Sequence, residues 1–170
     1  MVIGSFHLMK NAVTHSPAST QAMLDEIDRK IIGELAADGR MPIARIGRRI
    51  KLSSPAVAER LQRLEAAGVI TGYRAVVDPR AIGYSLTAIV RVKPAPGQLA
   101  RIPELAREIS EVAECHRITG EDCFYLKVYL RSIEDLSRLL DRFLAYGETT
   151  TSIVNASPVP YRDPPLLTPS

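Results

Sequence analysis

The sequence predicts an α+β protein of two small domains, an N-terminal winged helix-turn-helix and a C-terminal ferredoxin-like sheet ordered strand, helix, strand, strand, helix, strand. Three observations predict it. Two short apolar stripes, Ile43, Ile46, Ile50 and Val57, Leu61, Leu64, flank a break at residues 51–53, the spacing of two helices joined by a tight turn. From residue 86 onward, alternating segments and segments of helical period follow one another in βαββαβ order. A chain of 170 residues is too long for a single helix-turn-helix and suits two domains.

Residues 1–22 carry no periodicity and are rich in Ser, Thr and Pro near their end, which reads as a flexible arm. Met23 stands directly before the first structured residues and is a candidate start. The first domain is expected over residues 23–75. Its first helix carries the stripe Leu24, Ile27, Ile31, Leu35, with Asp25 and Asp28 in the first turn, where carboxylates suit the helix dipole. Asp38-Gly39 ends it, and so narrow a stripe is stable only when packed against the next two helices. Ser54 is expected to cap the third helix with Pro55 in its first turn, and Gly68 supplies a left-handed stop. TGYRAVVDP then alternates up to Pro79, predicting a strand that serves as wing and leads into a linker strand and hinge at residues 76–84.

The second domain is expected over residues 85–157. Residues 86–93 alternate as a strand, and Leu99, Ile102, Leu105, Ala106 and Ile109 sit at helical spacing. Residues 112–118 and 123–131 read as strands around a turn at Gly120. Ser132 caps a helix with the stripe Ile133, Leu136, Leu140, Phe143, Leu144, and residues 149–154 form the last strand. This order gives an antiparallel sheet with both helices on one face. If Phe124, Leu126, Val128 and Leu130 face the helices, then Tyr125, Lys127, Tyr129 and Ile89 share the uncovered face, and a second copy of the sheet could cover them. A homodimer is therefore expected. Residues 158–170 are a Pro-rich tail that cannot extend a central strand.

Charge and composition narrow the function. The overall charge is only +3, but residues 40–74 hold eight basic and two acidic side chains while residues 76–170 hold eleven and twelve. A local excess beside a helix-turn-helix attracts phosphates, although a solvated basic face has the same composition. No apolar run approaches the ~18 residues of a membrane span, and the start MVIGSFHLMK lacks the basic region and apolar run of a signal peptide, so a cytoplasmic protein is expected. Cys115 and Cys123 then read as free thiols. With His116 they lack the spacing and fourth ligand of a zinc site.

The candidate partner of the first domain is double-stranded DNA, entered by the second helix of the motif. Its outer face presents Ser53, Ser54, Ala56, Ala58, Glu59, Gln62 and Arg63. Gln pairs with adenine, Arg with guanine, Glu accepts from cytosine N4, and Ala touches a thymine methyl; alternatively Glu59 and Arg63, four apart, pair with each other. Arg40, Arg45, Arg48, Arg49 and Lys51 are placed to meet phosphates, which position a protein without reading sequence.

LDEIDRKIIGELAADGR, LSSPAVAERLQRLEAAGVITGY and DPRAIGY resemble the N-terminal half of the Lrp/AsnC, or feast/famine, transcription regulators, and the element order of the second half resembles their ligand-binding (RAM) domain. The likeness spans residues 24–154. It implies dimers paired through the second domain, assembly into octamers, and an amino-acid effector between dimers, with no other cofactor. The family's effector loop commonly reads Gly-Asp-x-Asp-Tyr. Here it reads Gly120-Glu121-Asp122-Cys123-Phe124, with Cys123 at the second carboxylate position and Asp122 one residue earlier. The family's Thr-x-Thr in the last strand is matched by Thr149 and Thr151. Backbone N–H groups around Gly120 and the two threonine hydroxyls could hold an effector carboxylate, and Glu121 or Asp122 its ammonium. By its residues alone the same stretch also reads as a plain hairpin turn. An enzyme is the alternative class, since some proteins similar to this family decarboxylate siroheme. His116 is the one histidine of the second domain, and no nucleophile with a paired base is visible.

Overall fold

The computed structural model describes residues 24–166, which divide into two compact units: residues 24–74 with 162–166, and residues 75–161. The arm expected over residues 1–22, Met23, and residues 167–170 lie outside the described residues. Residues 162–166 of the Pro-rich tail group with the first unit.

The first unit is built from α1 (Glu26–Ala37), α2 (Ile43–Ile50) and α3 (Ser54–Ala66). Asp25 caps α1 as one half of a reciprocal box: its carboxylate accepts from the Asp28 N–H at 2.7 Å, and the Asp28 carboxylate accepts from the Asp25 N–H at 3.3 Å. Ile31, Met41, Ile46, Val57 and Leu64 form the buried centre, with Leu24, Ile27, Leu35, Ile50 and Leu61 packed around it. The three expected stripes thus meet in one core.

Two local features fix the turn between α2 and α3. Lys51 adopts a left-handed backbone with φ 60°, the only non-glycine residue to do so among the described residues, and ends α2. Gly47 lies under the returning chain: a Cβ there would sit 2.5 Å from the carbonyl oxygen of Leu52. The cap of α3 is Ser53 rather than the expected Ser54. After Lys51 turns the chain, Ser53 is extended and its hydroxyl accepts from the Ala56 N–H at 3.4 Å, while Ser54 is already helical. At the other end the N–H of Val69 bonds the carbonyl of Leu64, the N–H of Gly68 bonds that of Glu65, and Gly68 has φ 68°, which turns Val69 and Ile70 back onto the core.

The expected wing strand is absent among the described residues. Residues 71–78 are irregular, and Tyr73, Val76 and Val77 are at least half exposed. Alternation alone does not make a strand when no neighbouring strand takes its N–H and C=O groups. The linker over residues 76–84 likewise contains a single 3₁₀ turn, Arg80–Ile82, in place of a strand.

Tyr73 nonetheless has a defined contact. Its hydroxyl donates to a Glu65 carboxylate oxygen at 2.8 Å; partial loss of water around a ring that is otherwise half exposed, then this hydrogen bond and the negative charge of Glu65, push its pKa up to about 12. Raising an acid's pKa favours its neutral form in the folded state. The stability this adds is complete below about pH 10, the ordinary phenol value, and is lost as pH rises towards 12. An ultraviolet titration is expected to show a phenol ionising near pH 12 that disappears in Tyr73→Phe; an unchanged curve would refute the contact.

The second unit contains β1 (Leu86–Pro94), α4 (Arg101–Glu108), β2 (Val112–Arg117), β3 (Phe124–Leu130), α5 (Ile133–Leu144) and β4 (Gly147–Ile153). The sheet is antiparallel with order β2-β3-β1-β4. Register sets its two faces. Phe124, Val92 and Thr149 share one row, and Leu126, Val90 and Thr151 another; the residues of these rows on β1 and β3 are buried in the core with Ile102, Leu105, Leu136, Leu139 and Phe143 of the helices. The stripe of α5 differs from expectation: Leu139 is buried, while Ile133 and Leu144, at the two ends of the helix, are 52% and 57% exposed.

Candidate DNA-binding and effector sites

The residues expected to face DNA divide into side chains with partners and side chains without. Ser53, Ser54, Glu59 and Gln62 are exposed and Ala58 is half-buried. The Glu59 and Gln62 side chains have no hydrogen-bond or ion-pair partner among the described residues. Arg40, Arg45, Arg48 and Lys51 are exposed, and their side chains too have no partner there. Arg49 instead pairs with Glu34 of α1 at 2.5 Å.

Arg63 is engaged elsewhere. Its guanidinium donates to both carboxylate oxygens of Asp28, at 2.9 and 2.8 Å, and not to Glu59. Asp28 is 1% exposed and also accepts from Arg60 at 2.9 Å, while Arg60 reaches Asp25 at 2.5 Å. The Asp28 backbone N–H and the Arg60 charge hold the Asp25 carboxyl below its ordinary range, against a smaller upward push from burial. The two carboxylates in turn hold Arg60 above its ordinary value. Two acids three apart at the start of α1, its cap Asp25 and Asp28, thus face two arginines three apart on α3. Reading Asp25 and Asp28 only as dipole partners misses this; the matching i,i+3 spacing of opposite charges on two helices is the signal that carries it.

In the second unit the expected effector residues fall into two groups. Gly120, at φ 111°, lies in the turn between β2 and β3, which is closed by the N–H of Ile118 on the carbonyl of Cys123 at 2.8 Å. Both carboxylates of the turn face cations on β1: Asp122 meets Arg91 at 3.4 Å and Glu121 meets Lys93 at 3.5 Å. The Cys123 thiol approaches the backbone oxygens of Gly120 and Glu121 at 3.8 and 3.6 Å, so it stays inside its own turn. Thr149 and Thr151 lie on β4, with β1 between them and β3, about 10 Å away at two strand spacings. They also share their rows with Val92 and Val90, on the helix side of the sheet, whereas Arg91 pairs with Thr150 on the open side. One subunit does not bring the turn and the threonines together. Hollows of about 310 and 370 Å³ lie elsewhere, the first by Tyr84, Glu111 and Arg131 and the second between α4 and β2.

The open face is half-buried rather than bare. Glu114 accepts from Lys127 at 3.3 Å and approaches His116 Nε2 at 3.3 Å, Lys127 lies 5.5 Å from the Tyr129 ring centre, and the His116 and Tyr125 rings are 6.2 Å apart. Burial works to raise the Glu114 pKa, but His116 and Lys127 outweigh it and hold the carboxyl below its ordinary value. Burial acts downward on Lys127, and Tyr129 and Glu114 overcome it. Burial pushes the half-buried Cys115 thiol up, against a smaller effect of Arg107. Among the described residues no three His, Cys, Asp or Glu side chains converge as metal ligands, and no helix is long and apolar enough to cross a membrane.

The chain matches the AsnC-type helix-turn-helix domain over residues 24–65 and the Lrp/AsnC ligand binding domain over residues 87–164. It is 39% identical over 129 residues to the HTH-type transcriptional regulator LrpA of Mycobacterium tuberculosis, covering 75% of this chain and 86% of that protein. With the HTH-type transcriptional regulator LrpC of Bacillus subtilis it shares 33% identity over 131 residues, covering 77% and 91%. Among solved structures, the feast or famine regulatory protein from M. tuberculosis complexed with L-methionine matches with a TM-score of 0.78 at 36% identity, covering 82% of this chain and 97% of that one. B. subtilis LrpC matches at 0.75 and 32%, covering 79% and 96%.

Proposed function

Because the chain belongs to the Lrp/AsnC family of transcription regulators, we propose that α3 enters the major groove of a specific operator and that an amino acid held between subunits changes that binding. The protein is a helix-turn-helix transcription regulator with a ligand-binding second unit. The observation that carries the DNA reading is that Glu59 and Gln62 of α3, and Arg45, Arg48 and Lys51 of α2 and the turn after it, are exposed and without partners among the described residues. Polar side chains read base edges while the cations meet phosphates on either side.

The effector reading rests on the division of its residues into two groups. Thr149 and Thr151 of one subunit and the 120–123 turn of another would together offer hydroxyls, backbone N–H groups and carboxylates, the complement of an amino acid. The related M. tuberculosis protein complexed with L-methionine supports that ligand class. Covering Ile89, Tyr125 and Tyr129 with the sheet of a second copy makes a homodimer, and dimers then assemble into the octamer the family implies.

The test is a gel shift of the protein on its own upstream region across a salt series, with and without a pool of amino acids. Specific binding that weakens steeply with salt and responds to one amino acid is expected. Binding no tighter than to random DNA would defeat the reading. Arg48→Ala is expected to lower the salt slope of log K by about 1 while leaving the operator's sequence preference unchanged. An unchanged slope would remove Arg48 from the phosphate contacts.

A further inference from the structure

We propose that Arg63 is a positioning residue rather than a reader of DNA, and that operator sequence is read by Glu59 and Gln62 without an arginine–guanine contact. This rests on the DNA-binding reading above. Arginine bidentate to guanine is the commonest specific contact of a recognition helix, and Arg63 stands one residue after Gln62 on the expected reading face. One guanidinium nitrogen, Nη2, however, donates to both oxygens of Asp28, a carboxylate that is 1% exposed. Moving Arg63 to a base edge would leave Arg60 as the only cation on that buried carboxylate, and Arg60 already divides its donors between Asp25 and Asp28. Pairing with guanine would exchange one charge-assisted contact for another while taking a cation away from a buried carboxylate, so the exchange brings no advantage.

The lock also does something useful for recognition. Arg60 and Arg63 lie one helical turn apart on α3, and Asp28 lies one turn after Asp25, the cap of α1, so three ion pairs fix both the axial position and the rotation of α3. Rotation about the helix axis decides whether Glu59 and Gln62 point into the groove. What they present is a carboxylate and an amide, which match the cytosine amino group and adenine. The expected operator half-site therefore carries A and C determinants opposite the middle of α3.

Selection of binding sites from a random DNA library, performed with the intact protein and three variants, tests this. Gln62→Ala is expected to relax one adenine position by roughly 5- to 150-fold. Arg63→Gln is expected to weaken binding to every sequence alike, with the same base preferred at each position. Asp28→Asn, which keeps an acceptor for the Asp25 N–H, releases Arg63 and is expected to add a guanine preference that the parent lacks. A parent guanine preference that vanishes in Arg63→Gln would overturn the assignment and leave the regulator reading standing. A parent protein that selects no sequence would defeat that reading itself, and with it the assignment.

Discussion

Asp28→Ala is expected to lower the stability of the first unit by about 3 kcal/mol, in the range for removing one member of a buried ion pair. Asp28 is a full partner in two kinds of contact. It closes the capping box of α1, a contribution of about 1 kcal/mol, and it holds Arg60 and Arg63 of α3. The arginines left behind are 25% and 58% exposed and can return to water, so the loss stays below the worst case of a stranded buried charge. For a unit of this size, 3 kcal/mol corresponds to a fall in midpoint of roughly 12–24 °C. Calorimetry of the variant should show one transition displaced and the transition of the second unit in place. A displacement of a degree or two would mean that α1 and α3 are held together by the Ile31, Ile46, Val57 and Leu64 core alone.

Gly47→Ala carries the second large effect, through space rather than charge. The added methyl would lie 2.5 Å from the Leu52 carbonyl oxygen, which is backbone and has no rotamer to change. Either α2 shifts or the turn through Lys51 opens, and α3 moves with it. Overpacking of this kind costs about 1–3 kcal/mol. Because the turn sets where α3 begins, operator affinity is expected to fall by more than the loss of folded protein explains, with the salt slope preserved since every cation remains. A variant with parental affinity and stability would show that the turn relaxes freely.

Stripes of apolar residues made most of this fold legible. Periodicity placed all three helices of the first unit because burial in a small domain follows side-chain pattern, and alternation gave strands in the right order for the same reason. The elements that escaped depend on partners the pattern does not contain. Residues 71–78 alternate like a strand but have no strand beside them. The move of the cap from Ser54 to Ser53 follows from the left-handed Lys51, a conformation that a lysine does not advertise. Arg63 looks like a reader until the crossing of α1 and α3 brings Asp28 beneath it. The separation of Thr149 and Thr151 from the 120–123 turn is set by sheet order, which places β1 between β3 and β4.

That sheet order also sets when the protein can fold. The apolar core of α1, α2 and α3 is drawn from residues 24–70, a local topology of the kind that folds in microseconds to milliseconds. The central strand β1 must wait far longer, because its partner β4 follows the rest of the second unit: Ala88 pairs with Ile153 and Pro94 with Gly147. During synthesis, at about 5–20 residues per second, the helical unit can form while β1 still has neither neighbour. For several seconds a strand of sequence LTAIVRV offers both edges to whatever is nearby. Its Arg91 and Lys93, on the face that later turns away from the helices, are then the charges that discourage pairing with a strand of another nascent chain.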